Sequence, residues 1–175
     1  VQGKAATLHQ LAILYADQGE IDQAIALYQQ SIELKEKIGN VQGKAATLSN
    51  LAGIYANQGE IDQAIALYQQ SLEIQEKIGN VQGKAATLNQ LAGIYANQGE
   101  IDQAIALYQQ SLELKEKIGD VRGKAMTLWW LGHIANGQGN SEQALIYLQE
   151  SFDILQRLRS PDAAQVQEMI ARIRG

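Results

Sequence analysis

The sequence predicts an all-α solenoid, a single domain of four helix-turn-helix repeats at residues 1–40, 41–80, 81–120 and 121–160 with a capping helix at 161–175. Two observations carry this. A 40-residue unit at Val41–Asn80 returns at Val81–Asp120 with five differences, at Val1–Asn40 with eight, and in a more diverged form at Val121–Ser160. A fixed period of this length marks stacked supersecondary units, none able to bury its apolar face alone. Within each unit, apolar residues recur at helical spacing twice, with a break between.

The first helix of the third repeat shows the pattern: Leu88, Leu91, Ala92 and Tyr95 fall at i, i+3, i+4 and i+7, one stripe of a helix. Asn97-Gln98-Gly99-Glu100 supplies the break, with Gly99 free to take a left-handed conformation. Ile101, Ala104, Ile105, Tyr108, Ser111 and Leu112 continue the apolar pattern to Ile118. Gly119 is a natural residue to follow that helix, and Asn80 or Asp120 can cap the next one. Glu33/Lys37, Glu73/Lys77 and Glu113/Lys117 stand at i,i+4 with the acid first and are expected to pair on a solvated face.

In the tail, Ser160-Pro161-Asp162 reads as N-cap, proline at the first helical position and acid in the first turn. Val166, Met169, Ile170 and Ile173 then make one apolar stripe opposite Gln165, Gln167, Glu168, Arg172 and Arg174. A helix greasy on one side and polar on the other suits the open end of a solenoid. No counterpart precedes the first repeat, whose first helix is expected to expose apolar surface.

The spacing L-x2-LA-x2-Y-x8-A-x3-Y-x2-S resembles the tetratricopeptide repeat, with Leu88, Leu91, Ala92, Tyr95, Gly99, Ala104, Tyr108 and Ser111 at its signature places. Leu8, Leu11, Ala12, Tyr15, Ala24 and Tyr28 match in the first repeat, and Leu48, Leu51, Ala52, Tyr55, Ala64 and Tyr68 in the second. The fourth departs, with Gly132 for the small alanine and Ala135 for the tyrosine, while Ala144 and Leu148 hold its second helix. Glu36, Glu76 and Glu116 replace the family's closing proline, so the unit is about six residues longer than the usual 34. Such lengthened units resemble those of kinesin light chains, spindle-orientation adaptors and bacterial multi-repeat regulators. The resemblance implies a right-handed α–α superhelix that binds a protein or peptide, with an extended segment held in its concave groove.

Near-identical copies make the chain its own comparison. Identity at solvent-facing Gln29/Gln30, Gln69/Gln70 and Gln109/Gln110 is not demanded by packing and points to a copying event, natural or engineered. Differences gather on the first helix, in four series: His9, Ser49, Asn89, Trp129; Gln10, Asn50, Gln90, Trp130; Ile13, Gly53, Gly93, His133; and Asp17, Asn57, Asn97, Gly137. The first, third and fourth share one helical face, which the resemblance places along the groove. The expected groove residues are therefore His9, Ile13, Asp17, Ser49, Asn50, Gly53, Asn57, Asn89, Gln90, Gly93, Asn97, Trp129 and His133, unless exposed positions simply tolerate drift.

Asn57 and Asn97 offer donor and acceptor alike, able to grip a peptide bond whatever its side chains; a local role in the turn is the alternative. Mid-helix Gly53 and Gly93 are costly against alanine, so either close helix packing or close ligand approach must require them. Trp129 and Trp130 diverge by about 100° on a helix, so one is expected beneath the capping helix and the other on the groove.

Composition narrows the function. With 46% hydrophobic residues, one proline, no cysteine and a net charge of −5, the chain offers ample core, no thiol or disulfide chemistry and no clustered basic face for nucleic acid. It contains no apolar run long enough to span a bilayer and no leader pattern at its start, and cytoplasm is the expected compartment. Val1 falls on the repeat phase, so the chain is expected to be a piece of a longer one. His9 and His133, the two histidines, lie three repeats apart and cannot share a metal or a relay; no metal-ligand spacing, phosphate loop or nucleophile elbow occurs. Catalysis, cofactors and metals are accordingly not expected. A groove with Ser49, Asn89, Gly53 and Gly93 where cationic clamps would need lysines suits a neutral or mildly cationic peptide. The rival is a structural spacer, or an array associating through the uncapped first repeat.

Overall fold

The computed structural model describes residues 2–175 and divides into two compact units, Val1–Thr87 and Leu88–Gly175. Among the described residues every regular element is a helix: α1 (Gln2–Asp17), α2 (Ile21–Lys37), α3 (Val41–Asn57), α4 (Ile61–Lys77), α5 (Val81–Asn97), α6 (Ile101–Ile118), α7 (Val121–Gly137), α8 (Ser141–Arg157) and α9 (Asp162–Arg174). Helices and breaks stand where the two apolar stripes of each repeat predict them.

Two kinds of turn set the repeat. Between first and second helices, Gly19, Gly59, Gly99 and Gly139 take left-handed φ of 77° to 82°. After the second helices, Gly39, Gly79 and Gly119 do the same, and in the last repeat Arg159 adopts φ 53° in their place. The next first helix is then capped by a side chain: Asn40, Asn80 and Asp120 accept from the backbone N–H of Gly43, Gly83 and Gly123.

Within a repeat, alanine meets alanine. Ala12, Ala52 and Ala92 on first helices and Ala24, Ala64 and Ala104 on second helices are fully buried, letting the two backbones approach. Ser31, Ser71 and Ser151 donate across that contact to the carbonyls of Ala5, Ala45 and Ala125 at 2.8 Å, so these buried hydroxyls are satisfied. Tyr28 packs with Ala12 and Leu51 in the first unit, and Tyr108 with Ala92 and Leu131 in the second. In the fourth repeat Leu148 replaces the tyrosine and Gly132 the alanine; a Cβ on Gly132 would lie 2.6 Å from Leu148 Cγ. Here Leu148 leaves no room for the alanine methyl of the other repeats, so packing requires the glycine.

The tail packs as its stripe predicts. Val166 and Ile170 of α9 are buried against Leu128, Leu148, Ile154 and Leu155, with Met169 and Ile173 at the margin. Ser160 Oγ accepts from Asp162 N–H at 3.3 Å and donates to Asp162 Oδ2 at 2.8 Å, fixing the entry to the helix.

The expected Glu33/Lys37, Glu73/Lys77 and Glu113/Lys117 pairs are not among the ion pairs of the described residues. Instead Lys44, Lys84 and Lys124 pair with Glu36, Glu76 and Glu116. The turn folds the end of one repeat back over the start of the next, bringing these residues together. Lys124 also holds Glu150 at 2.7 Å, and hydrogen bonds to the two carboxylates push its pKa up.

Candidate functional site

The varying positions of the first helices fall into two environments. His9, Ser49, Asn89 and Trp129 are half-buried and turn toward neighbouring helices. His9 Nδ1 lies 3.0 Å from Thr47 Oγ1 on α3. That hydroxyl donates to Gly43 O at 2.9 Å and accepts from Lys35 Nζ at 2.6 Å, so His9 must supply its Nδ1–H to the remaining lone pair. Its Nε2 is then the acceptor for Asn50 Nδ2 at 3.4 Å. Burial, and then the Lys35 charge, lowers the His9 pKa. In the second unit Asn89 Oδ1 accepts from Thr127 Oγ1 at 2.8 Å and from Lys115 Nζ at 3.3 Å. Ser49 Oγ sits 2.8 Å from Ser71 Oγ and 3.2 Å from Thr87 Oγ1. His9, Ser49 and Asn89 of this series thus share a seam of helix–helix hydrogen bonds, while Trp129 packs among apolar neighbours. The centre of the seam is a threonine that periodicity alone did not single out.

Lys35 and Lys115 are buried in that seam with neutral partners, and desolvation lowers both pKa values, partly offset at Lys115 by Asp120. Gln75 takes the equivalent place in the second repeat, with its Oε1 buried and unpaired.

The remaining series look outward. Gly53 and Gly93 are half-exposed; Asn57 and Asn97 end α3 and α5 and are exposed. The turns beyond them are closed by backbone alone: Gln58, Gly59 and Glu60 donate to Ile54, Ala56 and Tyr55 carbonyls, and the third repeat repeats the pattern. Among the described residues neither Asn57 nor Asn97 has an intramolecular side-chain partner. Asp17 holds the same place on α1, exposed, and its charge acts on Tyr28. Ile13 is half-buried, packed against the cluster of Ala12, Tyr28 and Leu51. Asn50 and Gln90 are exposed one position beyond the seam.

On α7 the series become aromatic. Trp129 packs into the cluster covered by α9, its Nε1 buried without a partner, while Trp130 is 42% exposed. Despite their angular separation the two indoles stack, with centroids 5.6 Å apart and planes at 24°, and His133 leans on both at 5.6 and 5.8 Å. Desolvation lowers the His133 pKa.

An open cleft of about 290 Å³ lies on another face of α3, floored by Leu48, Leu51 and Tyr55 and rimmed by Gln29, Gln63 and Gln70. It gives Gln29 and Gln70 a place in the fold that packing rules did not supply. Among the described residues no group of His, Asp and Glu is placed to hold a metal ion, and no helix is long and apolar enough to cross a membrane.

Profiles of the tetratricopeptide repeat match residues 5–38 and 43–117. The chain belongs to the tetratricopeptide-repeat family. No curated protein matches it. Among solved structures, a kinesin-light-chain-like protein of P. anserina with nearly identical TPR-like repeats superposes with a TM-score of 0.79 at 21% identity, over 99% of this chain and 86% of that one. BtubC (BKLC) from P. vanneervenii gives 0.80 at 20% identity, over 89% of this chain and 64% of its own. A Rap protein complexed with Competence and Sporulation Factor gives 0.79 at 18%, over 97% of this chain and 48% of its own. At these identities the likeness is one of fold. Tetratricopeptide-repeat proteins are generally non-catalytic scaffolds for protein–protein interaction.

Proposed function

We propose that the chain is a non-catalytic scaffold that binds an extended peptide on the first-helix face of each unit, gripping its main chain through side-chain amides. One observation carries the reading. Asn57 and Asn97 project exposed amides at equivalent places, and the adjoining turns are closed by backbone without them. An amide that satisfies nothing inside the protein is available to a peptide bond outside it. The neighbouring fold found complexed with Competence and Sporulation Factor is consistent with a binding role.

Selection from a random peptide library, run on the protein and on an Asn57→Ala/Asn97→Ala variant, tests this. Enrichment by the protein that the variant loses is expected. Equal enrichment by both would remove the asparagines from the site.

A second reading has its own observation. Leu11 and Leu14 of α1 are 39% and 51% exposed, whereas Leu51, the equivalent of Leu11, is 3% exposed beneath its neighbour. Association of copies through α1 would cover them. Light scattering that stays monomeric at high concentration would count against it.

A further inference from the structure

Two tyrosines that the repeat pattern assigns to the core carry hydroxyls that the core does not use. Tyr68 on α4 and Tyr108 on α6 are only 3% and 2% exposed. Among the described residues, neither hydroxyl has a hydrogen-bond partner. Neither oxygen is sealed off either, since the fully buried side-chain atoms lacking a partner are Gln75 Oε1 and Trp129 Nε1. Each ring therefore lies in the core with its oxygen at an opening.

Glycine makes that opening. A Cβ built on Gly53 would meet Tyr68 Oη at 3.4 Å, and one on Gly93 would meet Tyr108 Oη at 3.5 Å, with nothing else within 4 Å. These are ordinary contact distances, so alanine fits at both places and packing does not require the glycines. Glycine is nonetheless disfavoured inside a helix. What its absence of side chain achieves is to leave the hydroxyl uncovered. The outer repeats lack this arrangement: Ile13 replaces the glycine in the first, and Leu148 removes the hydroxyl in the fourth.

We propose that Tyr68 and Tyr108 are ligand-contacting residues, each hydroxyl reaching past Gly53 or Gly93 to hydrogen-bond the main chain of the peptide that Asn57 or Asn97 grips. The inference rests on the peptide-binding reading above. Gly53 and Asn57, like Gly93 and Asn97, are four residues apart on one helix face, so hydroxyl and amide address the same strip of ligand. A phenol donates and accepts, which suits a peptide carbonyl or N–H of any sequence. Burial pushes both hydroxyls up to about 12, so they stay neutral over the physiological range.

The test takes a peptide enriched from the random library and measures its affinity for Tyr68→Phe, Tyr108→Phe, Gly53→Ala and Gly93→Ala, with thermal unfolding of each. The phenylalanine variants should melt as the parent does, because no internal hydrogen bond is lost, yet bind about five- to tenfold more weakly. The alanine variants should melt higher and bind more weakly, two changes of opposite sign that a structural role cannot produce. If Asn57→Ala/Asn97→Ala abolishes binding while all four variants bind as the parent, the tyrosine inference fails and the peptide reading stands. No peptide enriched by the parent would overturn both.

Discussion

Thr47, Thr87 and Thr127 are almost wholly buried, and each governs residues distant in sequence. Thr47 takes Lys35 and His9, Thr127 takes Lys115 and Asn89, and Thr87 faces Ser49 beside Gln75. In the fourth repeat, where Leu155 occupies the lysine position, the seam residue becomes Trp129 and the junction is apolar. Changes that look independent along the chain are thus changes at one contact. A consequence is pH dependence. Folded His9 resists protonation because it is half-buried beside Lys35, and His133 because its aromatic neighbours partly desolvate it; an unfolded histidine titrates near 6.5. Both groups have depressed folded values, so their stability contribution is complete above about pH 6.5 and is lost as pH falls through the folded values. Denaturant unfolding should show lower stability at about pH 5.5 than at about pH 7.5. His9→Asn, which imports the partner found at Thr127, should flatten part of that decline; an unchanged slope would place its origin elsewhere. The sequence made the varying series legible but not their division. Helical periodicity gives a direction around one helix and says nothing of which neighbour stands there. His9, Ser49 and Asn89 were therefore grouped with Asn57 and Asn97, although a neighbouring repeat takes up the first three.

At the scale of the element, most of what was legible followed from local rules. The caps at Asn40, Asn80 and Asp120, the glycine turns and the apolar stripe of α9 each depend on residues within one turn of one another, and spacing reveals them. What needed the structure were pairs made across elements. The first-turn lysines give no local signal, yet Lys44, Lys84 and Lys124 clasp the carboxylates of the preceding helix. Gly132 is the sharper case, because its necessity is created by Leu148 on another helix. Gly132→Ala should cost about 1–3 kcal/mol by overpacking, against a gain of about 1 kcal/mol for alanine at Gly53 from helix propensity. Opposite shifts in melting temperature are the expected readout, and a stabilised Gly132→Ala would mean that Leu148 yields without strain. In α9, truncating Ile170 to alanine removes a buried side chain from the cluster of Leu128, Leu148 and Leu155, at about 2–5 kcal/mol. A loss below about 1 kcal/mol by calorimetry would show that α9 contributes little to the packing of α7 and α8.

For the molecule as a whole, the telling quantity is where its charge is not. Of 19 carboxylate side chains, none lies on α3, α5 or α7. The lysines on those helices, Lys44, Lys84 and Lys124, are each neutralised by a glutamate of the helix before. Every carboxylate but Asp17 of α1 therefore stands on second helices, turns and tail, while α3, α5 and α7 offer amides, glycine gaps and one aromatic patch. Binding through neutral hydrogen bonds and stacking is short-ranged and scarcely screened, whereas an ionic clamp weakens as the Debye length falls from about 10 Å at 0.1 M salt to about 3 Å at 1 M. A library-selected peptide should accordingly bind with affinity that changes less than about threefold over that range. Acidic residues should be depleted among selected sequences, because the protein's own negative field opposes their approach and the lysines of α3, α5 and α7 are already paired. A steep fall of affinity with salt, or selection of acidic peptides, would show that charge rather than amide recognition holds the ligand, and would move the site away from Asn57 and Asn97.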